Sequence, residues 1–292
     1  MIHIQRVGVL GAGLMGSGIA QVAASCGFDT VVRDVSDGAL TRGRAAVERS
    51  LAKFVEKGQL LPDARDAALR RLLWTTDLGA VATTDIVIEA VTEELALKTA
   101  LYRELHPQCA EGAIFASNTS SLSIVALAAA SGRPDRFVGL HFFNPVPLMP
   151  LVEVVRAVTT SEATFTRALS FARSLGKDAV AVRDGSGFIV NRLLVPYLLD
   201  AVRALEQGVG SVADIDRAMM LGCGYPMGPF TLLDFVGLDT TVKIGEIMFE
   251  EFREPRFAPP ALLRQMVAAG WLGRKSGRGF YDYSVTPPMV AL

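Results

Sequence analysis

A glycine-rich turn near the start of the chain constrains the fold more than any other feature. An apolar run of strand length, Val7–Leu10, is followed directly by the pattern Gly-x-Gly-x-x-Gly at Gly11, Gly13 and Gly16, and then by small and apolar residues at helical spacing. This order predicts a strand, a tight turn and a helix whose N-terminal N–H groups face an anion. The pattern is typical of dinucleotide-binding sites, since its glycines permit the turn, the approach of a pyrophosphate and close helix packing. The expected cofactor contacts in this turn are Gly11, Gly13, Leu14, Met15 and Gly16.

Asp34 indicates which dinucleotide binds. A second β-rich run, residues 28–34, ends in this acid, at the place where a ribose-binding carboxylate belongs. Because a carboxylate at this position repels the additional phosphate of NADP, we expect NAD. Arg33 leaves NADP open as a lesser alternative, although neighbours on a strand point to opposite faces.

Length and charge exclude several classes of protein. The 292 residues exceed one typical core and fit two domains. A formal net charge of −1 gives no electrostatic footprint for nucleic acid or an anionic membrane. The apolar run 188–202 is interrupted by charged residues, so we expect no membrane span.

The cysteines and the N-terminal residues indicate the cellular compartment of the protein. Three cysteines lie far apart and form no C-x-x-C, which indicates neither a disulfide framework nor a zinc or other metal site. The first strand begins almost at once, so we expect no secretory signal and a cytoplasmic protein.

Strand and helix patterns alternate up to Asp184. After the second strand, helices are predicted over residues 36–58, 63–73 and 93–106, and strands over residues 85–91, 113–118, 137–143 and 151–155. This alternation predicts an α/β fold with a Rossmann-like, doubly wound, mostly parallel sheet. Beyond Asp184 strands stop and helices are predicted over residues 187–207, 212–221, 229–251 and 260–269, with Pro196 expected to kink the first. We therefore expect an NAD-binding Rossmann domain over residues 1–184 and an all-helical domain over residues 185–292.

Polar residues stand where three of the strands end. They are Glu93, the run Ser117–Ser121, and His141 with Asn144. Ligands of such sheets bind beyond the carboxyl ends of the strands, so each is expected to line the cofactor crevice. The serine-rich run is also typical of a simple helix cap.

His141 lies in an otherwise aromatic and aliphatic strand, where an imidazole needs a partner. The next apolar strand carries one carboxylate, Glu153, and a returning strand would bring it against the histidine. Such a pair fixes the tautomer of the ring and produces a general base, which beside a nicotinamide takes the proton of a substrate hydroxyl. A purely structural histidine is the alternative.

Four motifs together resemble the L-3-hydroxyacyl-CoA dehydrogenase family. They are the run Ser117–Ser121, the heptapeptide His141–Pro147, Asp184 with residues 187–192, and the segment Gly224–Pro229. The motifs occur in order, at matching spacing, across essentially the whole chain. Together they are far more specific than the glycine turn.

The resemblance implies a role for individual residues. His141 is the expected catalytic base and Glu153 its partner, while Ser120 and Asn191 are expected to bond the reacting oxygens of the substrate or to position the base. The positions that match cofactor contacts are Glu93, Lys98, Ser120, Asn144 and Lys275. The positions that match the coenzyme A site are Ser50 and Lys57, with Ser120 and Asn191 at the acyl end. Lys57 shares a helix face with Lys53, and the pattern alone is more typical of a solvated surface.

The expected substrate is an (S)-3-hydroxyacyl-CoA, oxidised reversibly at C3 to the 3-ketoacyl-CoA. A short acyl group, as in 3-hydroxybutyryl-CoA, is the default and a dicarboxylyl chain the rival. A sister dehydrogenase for a hydroxy acid without coenzyme A, such as a sugar acid, and a non-catalytic NAD-binding protein remain as alternatives.

Two positions depart from the family pattern, and one surface indicates association. Pro150 stands where many relatives have lysine, which bears on acyl preference, and Ser186 stands where proline usually precedes Gly187. The apolar faces of the C-terminal helices exceed what a small domain buries, so we expect a homodimer through them, as the resemblance also implies.

Overall fold

The computed structural model describes residues 4–292, and His3, to which we assign no role, lies outside them. The chain divides into two compact units, one ending at Gly185 and the other beginning at Ser186. Across residues 4–292 no helix combines the length and the hydropathy needed to cross a bilayer. No group of three His, Cys, Asp or Glu residues in that range is arranged to hold a metal ion.

An eight-stranded sheet organises the first unit. Its strands are β1 Arg6–Leu10, β2 Asp29–Arg33, β3 Leu72–Thr75, β4 Ile86–Glu89, β5 Ile114–Ser117, β6 Phe137–Phe142, β7 Leu151–Arg156 and β8 Asp178–Arg183. Their spatial order is β3-β2-β1-β4-β5-β6-β7-β8, and neighbours are parallel except for the antiparallel pair β6–β7. The central strands are buried on both faces, as expected of apolar runs covered by helices. The predicted Rossmann-like, mostly parallel sheet is confirmed.

Seven helices of this unit are described. They are α1 Leu14–Ser25, α2 Asp37–Glu56, α3 Pro62–Arg70, α4 Gly79–Ala82, α5 Leu95–Leu105, α6 Ile124–Ala130 and α7 Glu162–Ser174. The caps follow the sequence: Ser36, Ser123 and Ser161 each accept a hydrogen bond from the first turn of the helix that follows. One core cluster joins the strands to residues of α1 and α7.

The second unit is helical, as predicted, with one small addition. Its helices are α8 Val190–Glu206, α9 Val212–Cys223, α10 Pro229–Val236, α11 Leu238–Phe252 and α12 Ala261–Ala268. They pack around a core of their own that includes Leu199, Phe230 and Met248. Helix α8 continues through Pro196.

Several details of the sequence prediction were wrong or missing. The helix predicted over residues 63–73 ends at Arg70, because residues 72–75 pair with β2 and extend the sheet. The helix predicted over residues 229–251 is two helices, broken at Gly237 with φ of +102°. Helix α7 and strand β8 were not predicted. Strands do not stop at Asp184, since β9 Tyr281–Asp282 and β10 Met289–Val290 form a short antiparallel ribbon.

Candidate active site

The glycine turn joins β1 to α1 and has the geometry of an anion cradle. Gly11 has φ of +102° and donates its N–H to the Arg33 carbonyl at 2.8 Å, which fixes the turn against β2. A Cβ on Gly16 would lie 1.8 Å from the Gly11 carbonyl oxygen, so only glycine fits there. A Cβ on Gly13 would meet nothing within 4 Å. The turn is therefore tight on its inner side and open at Gly13, where a pyrophosphate needs room.

Asp34 follows β2 and is held beside this turn. Its Oδ2 accepts the Ala12 N–H at 2.8 Å and its Oδ1 accepts the Ser36 N–H at 3.2 Å. Both oxygens keep further acceptor capacity for ribose hydroxyls. Arg33 donates from Nε to the Thr76 carbonyl at 3.2 Å, so its side chain is engaged at the end of β3.

A cavity of about 400 Å³ opens beside Asp34. Gly11 and Gly13 form part of its wall, together with Val91 after β4 and Glu104 on α5. Its size lies in the range of cofactor sites, and its place beyond the strand ends is where such sheets bind nucleotides.

His141 and Glu153 are paired across β6 and β7. The two residues are in register, and the distance from His141 Nδ1 to Glu153 Oε2 is 2.7 Å. The side chains are 7% and 1% exposed, so the carboxylate is withdrawn from water. An ionised carboxylate only accepts hydrogen bonds, which places the proton on Nδ1 and leaves the lone pair on Nε2. The pair can therefore act as a general base with a fixed tautomer.

Two neighbouring groups fix the strand that carries the histidine. Asn118, in the loop after β5, accepts the Phe142 N–H through Oδ1 at 2.9 Å. The Phe143 ring packs on the imidazole with centroids 4.4 Å apart. These contacts hold the carboxyl end of β6 next to the loop that follows β5.

Glu93 anchors that loop. Its Oε1 accepts hydrogen bonds from the Thr119 hydroxyl, from the Ser120 N–H at 3.1 Å and from the Ser121 hydroxyl at 3.1 Å. Its Oε2 lies 3.1 Å from Lys98 Nζ. Burial acts to raise the pKa of Glu93, but Lys98 and the hydrogen bonds from Thr119 and Ser120 outweigh it and hold the pKa below its ordinary value.

Glu89, at the end of β4, is a site residue that the sequence reasoning missed. It is fully buried, and its carboxylate accepts from Lys98 Nζ at 2.6 Å, the Val91 N–H at 2.8 Å and the Ser117 hydroxyl at 2.6 Å. Lys98 is only 1% exposed and lies between two carboxylates. The signal was a single acid in an apolar strand, the same pattern that pointed to Glu153.

A second cavity, of about 430 Å³, lies between α1, α2 and the turn that follows β6. Ser50 and Arg42 of α2 line it, as do Asn144 and Pro147 of the turn. Lys57, directly after α2, is exposed and does not line this cavity.

The remaining candidates lie in the second unit. Asn191 is the second residue of α8. Lys275 lies in a short 3₁₀ turn and pairs with Asp239, with Nζ 2.5 Å from Oδ1. Ser186, the departure from the family's proline, donates its hydroxyl to Glu251 of α11, a bond that proline cannot form.

Sequence comparison identifies the scaffold. The family profile described as "3-hydroxyacyl-CoA dehydrogenase, NAD binding domain" matches residues 6–185, and the profile for the C-terminal domain of the same family matches residues 187–283. The chain belongs to the 3-hydroxyacyl-CoA dehydrogenase family. It is an oxidoreductase whose cofactor is NAD.

Individual members of the 3-hydroxyacyl-CoA dehydrogenase family match along nearly the whole chain. A 3-hydroxybutyryl-CoA dehydrogenase of Mycobacterium tuberculosis is 50% identical over 96% of this chain and 99% of its own length. The mitochondrial hydroxyacyl-coenzyme A dehydrogenase of Sus scrofa is 48% identical over 97% of this chain and 92% of its own. The crystal structure of the (S)-3-hydroxybutyryl-CoA dehydrogenase of Ralstonia eutropha superposes with a TM-score of 0.94 at 45% identity, covering 97% of this chain and all of that one.

The NAD of the family fits the residues present in this dehydrogenase. The open space at Gly13, the oriented carboxylate of Asp34 and the cavity beside them supply a place for the pyrophosphate, the ribose and the base. Arg33 donates through Nε to the Thr76 carbonyl and also lines this cavity, so the feature that disfavours a ribose phosphate is the negative charge of Asp34.

Proposed function

We propose that this protein catalyses the reversible oxidation of a short-chain (S)-3-hydroxyacyl-CoA, such as 3-hydroxybutyryl-CoA, to the 3-ketoacyl-CoA. The observation that carries the proposal is the 2.7 Å contact between His141 and Glu153 at the carboxyl end of β6. Relatives named for 3-hydroxybutyryl-CoA support the short acyl group.

The chain's own part in the chemistry is proton transfer and positioning. NAD, when bound, supplies the acceptor for the hydride that leaves C3. His141 Nε2 accepts the proton of the 3-hydroxyl group, and the buried carboxylate of Glu153 stabilises the imidazolium that forms. In the reverse direction the same imidazolium returns the proton to the oxygen.

Other residues hold the two ligands. We assign Ser120 and Asn191 to the reacting oxygens of the substrate, and Gly11, Gly13, Leu14, Met15, Gly16 and Asp34 to the adenosine and pyrophosphate of NAD. Glu93, Ser120, Asn144 and Lys275 belong to the rest of the NAD site. Lys98 is buried between carboxylates, so its contribution passes through Glu93. The cavity at Ser50 is assigned to coenzyme A. Lys57, which does not line that cavity, is assigned to the same ligand on the family resemblance alone.

The proposal also covers the oligomeric state, the cellular location and the role of each domain. Residues 1–184 serve as the NAD-binding domain and residues 185–292 as the substrate-binding and dimerisation domain. Large apolar side chains that stay exposed on the second unit, among them Leu193 at 71% and Leu221 at 75%, support a homodimer. We place the protein in the cytoplasm, with no nucleic-acid or membrane partner.

The test is turnover with and without the base. Oxidation of NADH by acetoacetyl-CoA should be abolished in His141→Ala, while the affinity for NADH stays near the wild-type value because the glycine turn and Asp34 are intact. Near-normal turnover in that variant contradicts the assignment.

Substrate class is tested with the wild-type protein. Rates across 3-ketoacyl-CoA thioesters of rising length, a dicarboxylyl thioester and the free 3-keto acid, each with NADH and NADPH, separate the short-acyl proposal from its rivals. Comparable rates with the free acid contradict a coenzyme A site.

A further inference from the structure

Lys177, between α7 and β8, is a buried cation with an unusual set of partners. It is 9% exposed, and its Nζ donates to the Val146 carbonyl and the Met149 carbonyl, each at 2.7 Å. Within residues 4–292 no carboxylate lies within ion-pair distance of it. Burying an ammonium group without a counter-ion is costly, so both carbonyls must be well placed to offset the lost hydration.

Both carbonyls belong to one turn, residues 143–150, which connects β6 to β7. Inside the turn the Pro145 carbonyl accepts the Leu148 and Met149 N–H groups at 2.9 and 3.0 Å. The Asp178 N–H donates to the Pro150 carbonyl at 2.8 Å. Lys177 therefore links the turn to the start of β8 through Val146 and Met149, in addition to the backbone hydrogen bond at Pro150.

The same turn forms a wall of the cavity that holds Ser50. Asn144, Pro145, Val146 and Pro147 all line that cavity. Val146 is 2% exposed and packs against α1 so closely that a Cβ on Gly18 would come within 2.9 Å of it. A shift of the turn therefore changes the shape of the cavity directly.

The strands on either side of the turn carry the dyad. His141 lies two residues before it and Glu153 three residues after it, so the turn also sets how the two strand ends meet. Other elements hold the strands themselves, notably the pairing of β7 with β8. We therefore expect a displacement of the turn to change the cavity wall more than it changes the pairing of β6 with β7.

We propose that Lys177 is a positioning residue, whose ammonium group holds the turn 143–150 in the shape that binds the coenzyme A thioester and aligns it with His141. The inference rests on the proposed function for the identity of that ligand. Lys177 donates to two carbonyls of the turn and does not line the cavity that holds Ser50, so it acts through the turn and not on the substrate.

The experiment compares Lys177→Met, which keeps the stem and removes the donors, with Lys177→Arg, which keeps donors and charge. The KM for acetoacetyl-CoA is expected to rise about tenfold or more in Lys177→Met with a fall in kcat, since misplacement of about 1 Å can cost that much. The KM for NADH should change less than the KM for acetoacetyl-CoA, because Asn144 is the one residue of this turn assigned to the NAD site, while the glycine turn and Asp34 are untouched. Lys177→Arg should recover most of the loss, and Lys243→Met, at an exposed lysine of α11, should behave as wild type.

A merely structural role predicts a different result. In that case Lys177→Met lowers the melting temperature but leaves both KM values and kcat of the folded protein unchanged, and the proposal is overturned. If Lys177→Met does not fold, Lys177→Gln takes its place. Its amide is uncharged and one bond shorter than the ammonium group, so the KM for acetoacetyl-CoA should still rise, and wild-type kinetics in that variant overturn the proposal equally. Failure of the wild-type protein to turn over any thioester refutes the proposed function instead, so the two failures are distinguishable.

Discussion

His141 and Glu153 lie directly opposite each other in the antiparallel pair β6–β7, with Nδ1 2.7 Å from Oε2. This is the antiparallel step in a sheet whose other neighbours run parallel. A parallel return needs a long crossover, whereas an antiparallel return needs only a turn, so both members of the dyad come from one short segment. The base and its partner are thus fixed by local structure at the edge where the ligands of the sheet bind.

Glu153→Gln tests whether the charge of the partner matters. The amide keeps the size of the side chain but does not stabilise an imidazolium, and it also permits the wrong tautomer of His141. We expect kcat to fall on the order of a hundredfold or more, with a smaller change in KM, in steady-state assays with acetoacetyl-CoA and NADH. A variant that retains kcat within about threefold shows that the carboxylate has only a structural role.

Substitutions at two glycines of the turn test stability and NADH binding separately. In Gly16→Ala the new Cβ would lie 1.8 Å from the Gly11 carbonyl oxygen, so the melting temperature is expected to fall sharply. In Gly13→Ala the Cβ enters open space, so stability should stay near wild type while the KM for NADH rises, because we assign that space to the pyrophosphate. Thermal unfolding and titration with NADH measure the two effects, and unchanged NADH affinity in Gly13→Ala contradicts the location of the cofactor.

Asp34→Asn tests the origin of the cofactor preference. The amide oxygen still accepts one N–H bond of the turn, but the negative charge that repels a ribose phosphate is gone. We expect kcat/KM for NADH to fall about tenfold or more while that for NADPH is unchanged or rises, in parallel assays with acetoacetyl-CoA. Asp37→Asn, at the exposed first residue of α2, is the matched control and should leave the ratio unaltered.

Part of this site can be predicted from the sequence because it depends on local structure. The glycine turn, Asp34 and the pairing of His141 with Glu153 each depend on short segments whose pattern also fixes their geometry. Strand β3 was missed, and its first two residues were predicted as helix, because its pairing with β2 is a long-range contact that local periodicity does not reveal.

The supporting polar groups were harder to recognise. The partners of Glu89 come from a strand and a helix farther along the chain, and the partners of Lys177 are backbone carbonyls, which carry no sequence signal at all. Burial and hydrogen bonding, not residue type, single these groups out. The roles of Asn191 and Lys275 rest on motif similarity and stay predictions.

Acid titration tests the anchoring role of Glu93. The folded-state pKa of its carboxyl lies below the ordinary value of 4.5, since Lys98 and the hydrogen bonds of the serine-rich loop outweigh burial. A depressed pKa stabilises the folded protein above the unfolded-state pKa, and that stabilisation is lost as the pH falls through the folded-state value.

Glu93→Gln should therefore lower the free energy of unfolding at pH 7, and the difference from wild type should shrink as the pH is taken below about 4.5. Urea unfolding at a series of pH values between about 7 and 3.5 measures it, spanning both sides of the ordinary carboxyl value. Glu94→Gln is the matched control, because the carboxylate of Glu94 is exposed and only its backbone is hydrogen-bonded.

A difference for Glu93→Gln that stays constant across the whole pH range would show that the charge of Glu93 does not hold the loop. Glu93 binds Ser120 and its neighbours, so turnover should fall in this variant at pH 7 as well, since the loop that carries Ser120 loses its ionic anchor.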